Sequence, residues 1–215
     1  MIITKKKPFE EILKYVKGSK SVFLIGCGEC STVCKTGGEA EVLEMKGLLE
    51  KEGIKVTGSC IPKAPCFAAY LKLAFNKNKQ AIEEADSMLI LTCGLGSQSV
   101  KDNFPVEKDI HVACDTVFMG QVAANGMFLE RCSACGDCLL EFTDAICPVT
   151  RCAKGLLNGP CGGQSHGKCE TDREKDCAWV LIYNSLKKKN KLHLLREIKT
   201  PKVFSKMMKP RSSKL

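Results

Sequence analysis

Residues 21–38 read SVFLIGCGECSTVCKTGG, and this stretch decides the fold class. A short apolar run, SVFLIG, stops at a glycine, and three cysteines follow at C-x2-C-x3-C spacing. Paired glycines then open residues 37–53 (GGEAEVLEMKGLLEKEG), where Val42, Leu43, Met45, Leu48 and Leu49 recur at roughly helical spacing. Strand, cysteine loop and helix thus follow one another within about thirty residues, as in a crossover unit. Working outward, residues 54–59, 87–92 (SMLILT, a buried run) and 110–113 (IHVA) read as further strands, and residues 67–75 and 81–85 as helical. This alternation predicts an α/β domain with a mostly parallel sheet. A (β/α)8 barrel typically takes about 250 residues, and the chain has 215.

The strands share a second property: Cys27, Cys60, Cys93 and Cys114 each follow one of them. The carboxyl ends of parallel strands open onto one crevice, where ligands bind. Cys27, Cys30 and Cys34 supply three thiolates on one tight loop, and a fourth ligand must arrive from elsewhere. The Cys93-Gly-Leu-Gly turn resembles the first loop and makes Cys93 the expected fourth ligand. Cys60 and Cys66 are left open between packing and ligation, and Cys114 reads as a small core residue.

Fifteen cysteines stand against three histidines and one tryptophan. The odd count, the repeated C-x2-C pairs and the lack of a signal-like apolar segment after MIITKKKPFEEI disfavour a disulfide scaffold. They favour metal ligation in a reducing, cytoplasmic setting. No apolar run approaches the roughly 18 residues of a membrane helix.

Eight cysteines crowd into residues 132–177. The sequence therefore divides into an α/β domain (1–127), a cysteine-rich metal-held module (128–182) and a basic C-terminal helix and tail (183–215). Cys132, Cys135 and Cys138 in RCSACGDC have the C-x2-C-x2-C spacing that wraps a cubane in ferredoxins. Cys147 (before Pro148), Cys152, Cys161, Cys169 and Cys177 follow, and eight thiolates suffice for two 4Fe–4S clusters. Zinc is the competing metal, because four-thiolate zinc sites also use C-x2-C pairs. The preference for iron is weakest from Cys152 to Cys177, and His166 reads as a loop residue. No nucleophilic triad, phosphate loop or paired-carboxylate motif is present.

Of the formal charge of +9, residues 183–215 contribute +10, from eleven Lys/Arg and the single acid Glu197, leaving −1 for residues 1–182. Such a tail suits an acidic partner. No aromatic-rich basic repeat points to nucleic acid, so a zinc-ribbon nucleic-acid binder is the third choice.

Four segments, RCSACGDC (131–138), ICPVTRCAKGLLNGPCGG (146–163), GKCE (167–170) and DCAWVLIYNSLKK (176–188), resemble the C-terminal-domain family of methylenetetrahydrofolate reductase. That family includes the small metal-containing subunit of the two-subunit reductase of acetate-forming anaerobes, to which GCGECSTVCKTGG (26–38) is also similar. The resemblance implies an electron-transfer subunit with two or three 4Fe–4S clusters, and one zinc ion is also associated with that family's small subunit. Its partner would be a large flavin-containing subunit carrying FMN and the folate site. Ferredoxin or a similar carrier would supply electrons for reducing 5,10-methylenetetrahydrofolate to 5-methyltetrahydrofolate. The alternative is a zinc-stabilised assembly subunit without a redox role.

Overall fold

The computed structural model describes residues 1–104 and 107–213. The chain forms two compact units, Met1–Phe118 and Met119–Leu215.

The first unit contains β1 (Ile2–Lys6), α1 (Phe9–Val16), β2 (Ser21–Ile25), α2 (Cys30–Val33), α3 (Glu39–Lys51), β3 (Lys55–Cys60), α4 (Ala68–Glu84), β4 (Ser87–Ile90), α5 (Gly94–Asn103) and β5 (Asp109–Val112). Strand β6 (Cys114–Val122) runs through the boundary. The second unit adds β7 (Phe128–Cys132), α6 (Pro148–Arg151) and α7 (Ala178–Lys188), then 3-10 turns at Leu192–Arg196 and Phe204–Met207.

The four expected strands are β2 to β5, and they form one parallel sheet in the order β3-β2-β4-β5. The sheet is wholly buried along β2, where alternate side chains enter opposite layers. Val22 and Leu24 pack with Ile12 and Val16 of α1 and with Val42, Met45 and Leu49 of α3. Phe23 and Ile25 pack with Leu71, Phe75 and Ile82 of α4 and Val100 of α5. Helices therefore cover both faces, and the connection leaving β2 runs over one face while that leaving β4 runs over the other. The strand order reverses between β2 and β4, the switch point at which doubly wound sheets bind ligands.

Residues 67–75 and 81–85, expected as two helical pieces, join into α4 with an irregular residue at Asn78. The Asn78 side chain donates to the Ala74 carbonyl at 2.9 Å, replacing a helical partner with its own amide. Strand β1 lies beside β6. In the second unit Met119–Val122 pairs antiparallel with β7. There α7 buries Trp179, Ile182 and Leu186 against Ile146, Leu156, Leu192, Leu194 and Leu195. The indole N–H of Trp179 donates to the Leu156 carbonyl at 3.0 Å. Among the described residues no helix is long and apolar enough to cross a membrane.

Leu24→Ala empties a fully buried position in the sheet and should cost about 2–5 kcal/mol in urea unfolding. Asp86 accepts backbone N–H bonds from Lys20 and Ser21 at 2.8 and 2.9 Å. The bonds from Ser21, backbone first, hold its carboxyl below the usual range. A depressed carboxyl stabilises the fold above its unfolded pKa and ceases to do so as pH falls through its folded value. Asp86→Asn should flatten the acid side of a urea-midpoint profile.

Candidate metal centres

At the carboxyl end of the sheet, Ile25 sits in register with Cys60 on one side and Ile90 on the other. The Gly26 N–H donates to the Cys60 carbonyl and the Leu91 N–H to the Ile25 carbonyl, both at 2.8 Å. The chain then turns through Cys27, whose N–H donates to the Gly37 carbonyl at 2.8 Å. Thr32 Oγ1 donates to the Cys27 carbonyl at 2.6 Å and ties α2 to the loop. Gly37 is required here, because a Cβ would collide with the Leu91 carbonyl.

The thiols of this end divide by surroundings. Cys27 and Cys93 are buried, and Cys93 is the N-cap of α5. Cys30 and Cys34 are half-buried, one helical turn apart, and both touch the start of β1. The Ile2 N–H donates to Cys30 Sγ at 3.4 Å, and the Cys34 thiol donates to the Ile2 carbonyl at 3.8 Å. Cys60 packs against the core layer of Phe23 and Ile25, and burial pushes its thiol up to about 12. Cys114 also reaches about 12 through burial, and its thiol donates to the Thr36 carbonyl at 3.6 Å. Cys66 is exposed. Partial burial raises its thiol first, and the nearby sulfurs of Cys93, Cys27 and Cys30 push the same way.

In the second unit, Ala134 and Gly136 take positive φ (52° and 74°) and fold RCSACGDC into a tight loop. Cys132 Sγ accepts the Ala134 N–H at 3.3 Å. Lys202 Nζ donates to Cys135 Sγ at 3.1 Å and also to the Asp137 carbonyl. Lys206 Nζ pairs with the Asp137 carboxylate at 3.1 Å, and Arg211 donates to the Ala134 carbonyl at 2.9 Å. Burial alone would raise the Cys135 thiol. A backbone hydrogen bond at Asp137 and the Lys202 ammonium outweigh it and hold the thiol below its usual range. Cys138 is exposed, and Cys147 is the half-buried N-cap of α6.

Cys152, Cys161, Cys169 and Cys177 line one small cavity of about 20 Å³. At its rim Lys154 pairs with Glu170, which also receives a hydrogen bond from Cys161. Hydrogen bonds from Thr171, side chain first, hold the Cys169 thiol below its usual range.

Two of these thiols face backbone N–H groups, from Ile2 and Ala134, and a cation stands beside Cys135. Among the described residues, however, no three Cys, His, Asp or Glu donors close on a common point as a single-ion site does. Tetrahedral zinc with bonds of about 2.3 Å needs its sulfurs nearly in contact. The cavity at Cys152–Cys177 has room for one water-sized body, so in this conformation it is nearer the size of an ion than of a cubane.

The structure also holds a feature with no sequence signal. A cavity of about 310 Å³ is lined by Phe142, Leu157, Trp179, Tyr183 and Leu195, with Lys199 at its wall. The Lys199 ammonium lies 3.1 Å from the centre of the Phe142 ring and pairs with Glu197 at 2.7 Å. Its lining residues lie too far apart in sequence to form a pattern.

Residues 111–205 match the protein family described as "Methylene-tetrahydrofolate reductase C terminal". These residues are similar to that family, over somewhat less than half of the chain. The matched stretch takes in all eight clustered cysteines and excludes Cys27 to Cys93. No curated protein and no solved structure matches the chain.

Because Leu186, Leu192, Leu194 and Leu195 complete the core around Trp179, truncation after Tyr183 should unfold the second unit. Truncation after Thr200 spares that core and removes only Lys202, Lys206 and Arg211 from the cysteine loop. Tryptophan fluorescence should report a native-like Trp179 in the longer form and a solvent-exposed one in the shorter.

Proposed function

We propose that this chain is the iron–sulfur electron-transfer subunit of a methylenetetrahydrofolate reductase. The observation that carries the reading is the family match, laid over eight cysteines that include a C-x2-C-x2-C loop and four residues lining one cavity. Cys132, Cys135 and Cys138 would hold one cluster with a further cysteine such as Cys147. Cys27, Cys30, Cys34 and Cys93 are the expected ligands of another, at the end of the sheet. Clusters of this kind exchange single electrons, at potentials set by hydrogen bonds to sulfur and by exposure.

The chain's own residues supply that environment. The Ala134 N–H and the Lys202 ammonium point at sulfur and favour the electron-rich state of whatever the loop holds. The partner is a large subunit carrying FMN and the folate site. Two electrons and two protons convert 5,10-methylenetetrahydrofolate to 5-methyltetrahydrofolate, and a ferredoxin-like carrier is the electron source.

The second reading, a zinc-stabilised assembly subunit, draws on the size of the cavity at Cys152–Cys177. It extends to the whole chain only if the other cysteines also hold zinc.

Purification without oxygen should give a brown protein whose broad visible absorbance bleaches on reduction with dithionite. Cys135→Ala should remove about four iron atoms per chain, one cluster's worth. A colourless preparation with zinc and no iron would overturn the electron-transfer reading in favour of the assembly role. Lys202→Met should leave the iron content unchanged and shift one midpoint potential downward, since it removes a positive charge beside the cluster.

A further inference from the structure

The cavity of about 310 Å³ lies wholly within the second unit and has no cysteine in its wall. Its body is apolar, with Leu139, Phe142, Leu157, Trp179 and Leu195 among the lining residues. The one hydrogen-bonding group of the Trp179 indole is already committed to the Leu156 carbonyl, so the ring offers a ligand only its apolar surface.

Lys199 is the cation of this wall. Its N–H donates to Asn158 Oδ1 at 2.7 Å, and Asn158 Nδ2 donates back to the Lys199 carbonyl at 2.9 Å. This two-way clamp fixes the stem of the side chain, which is only 13 % exposed. The buried Nζ has no hydrogen-bond partner among the described residues. It rests over the Phe142 ring, and its pairing with Glu197 is an ion contact outside hydrogen-bond geometry. An ammonium in apolar surroundings is costly unless an anion hydrogen-bonds to it. Glu197, 66 % exposed, meets that demand only in part and is free to swing away.

We infer that this cavity binds a small aromatic carboxylate, with its rings among Phe142, Trp179 and Leu195 and its carboxylate on Lys199 Nζ in place of Glu197.

Size, lining and charge agree on this class. An apolar cavity of roughly 150 Å³ takes one benzene ring, and at about 310 Å³ this one has room for two fused rings. Phenylalanine and tryptophan walls favour an aromatic body, which they meet edge-to-face or offset. A single clamped ammonium selects an acid over its uncharged counterpart. The inference is independent of the metal that the cysteines hold.

The test uses the full-length protein, with naphthoate as the acid probe and naphthalenemethanol as the uncharged one. Affinities come from isothermal titration calorimetry. The indole N–H resonance of Trp179, the only tryptophan of the chain, reports the site in a proton–nitrogen correlation spectrum. Naphthoate should saturate one site per chain, shift that resonance and bind about tenfold or more tighter than the alcohol, as a hydrogen bond between charged groups provides. Lys199→Met should abolish the preference and leave the affinity for the alcohol unchanged. Glu197→Gln removes the competing carboxylate and should tighten naphthoate binding. Failure of naphthoate to bind, equal affinity for acid and alcohol, or an unchanged preference in a folded Lys199→Met overturns the inference. Should Lys199→Met lose the native Trp179 resonance, the acid–alcohol comparison in the unsubstituted protein decides alone. Weaker naphthoate binding in Glu197→Gln overturns the exchange of carboxylates at Lys199.

Discussion

The constraint on which the first unit depends is that β2 is buried on both faces, with its neighbours parallel to it. Parallel pairing sends every connection back over the sheet, and burial of Phe23 and Ile25 on one side and Val22 and Leu24 on the other demands helices on both. Once the connections from β2 and β4 leave toward opposite faces, a gap opens between the strand ends. Cysteines that would be unremarkable in a helix are gathered there by the topology alone.

Strands β2 and β4 were legible because each is a wholly buried run dominated by apolar residues, and β3 and β5 because each alternates with helical signals and stops at a cysteine. The two helical pieces around Asn78 were legible as helix but not as one helix. The side-chain amide that bridges the irregularity carries no hydropathy signal. Strand β1 and its helix α1 escaped the reading because IITKK and FEEILKYV are short and mixed, and β1 pairs with a strand more than a hundred residues later. The antiparallel pairing of β6 with β7 escaped because neither strand is uniformly apolar or cleanly alternating.

The cysteines were legible as a set and less so as individuals. Spacing identifies the C-x2-C-x2-C loop and the cysteine-rich region that the family match covers. It cannot tell which way a thiol faces after one helical turn, and it therefore treats Cys34 and Cys30 alike. Nor can it show that Cys60 is drawn into the core while Cys66, six residues later, stands at the rim. The Cys60–Cys66 distinction comes from the path of the β3–α4 loop, and the contacts of Cys30 and Cys34 from the approach of β1, neither of which a one-dimensional pattern contains.

The C-terminal segment shows how misleading a charge count can be. Lys189 faces Asp144, Lys199 faces Glu197 and Lys206 faces Asp137, while Lys202 and Arg211 spend their donors on the cysteine loop. Glu197 is already counted in the net +10, so it is Asp144 and Asp137 that weaken the long-range attraction on an approaching anion, since paired charges cancel at a distance. Much of the basicity is internal mortar, binding the end of the chain to its sulfur-rich loop.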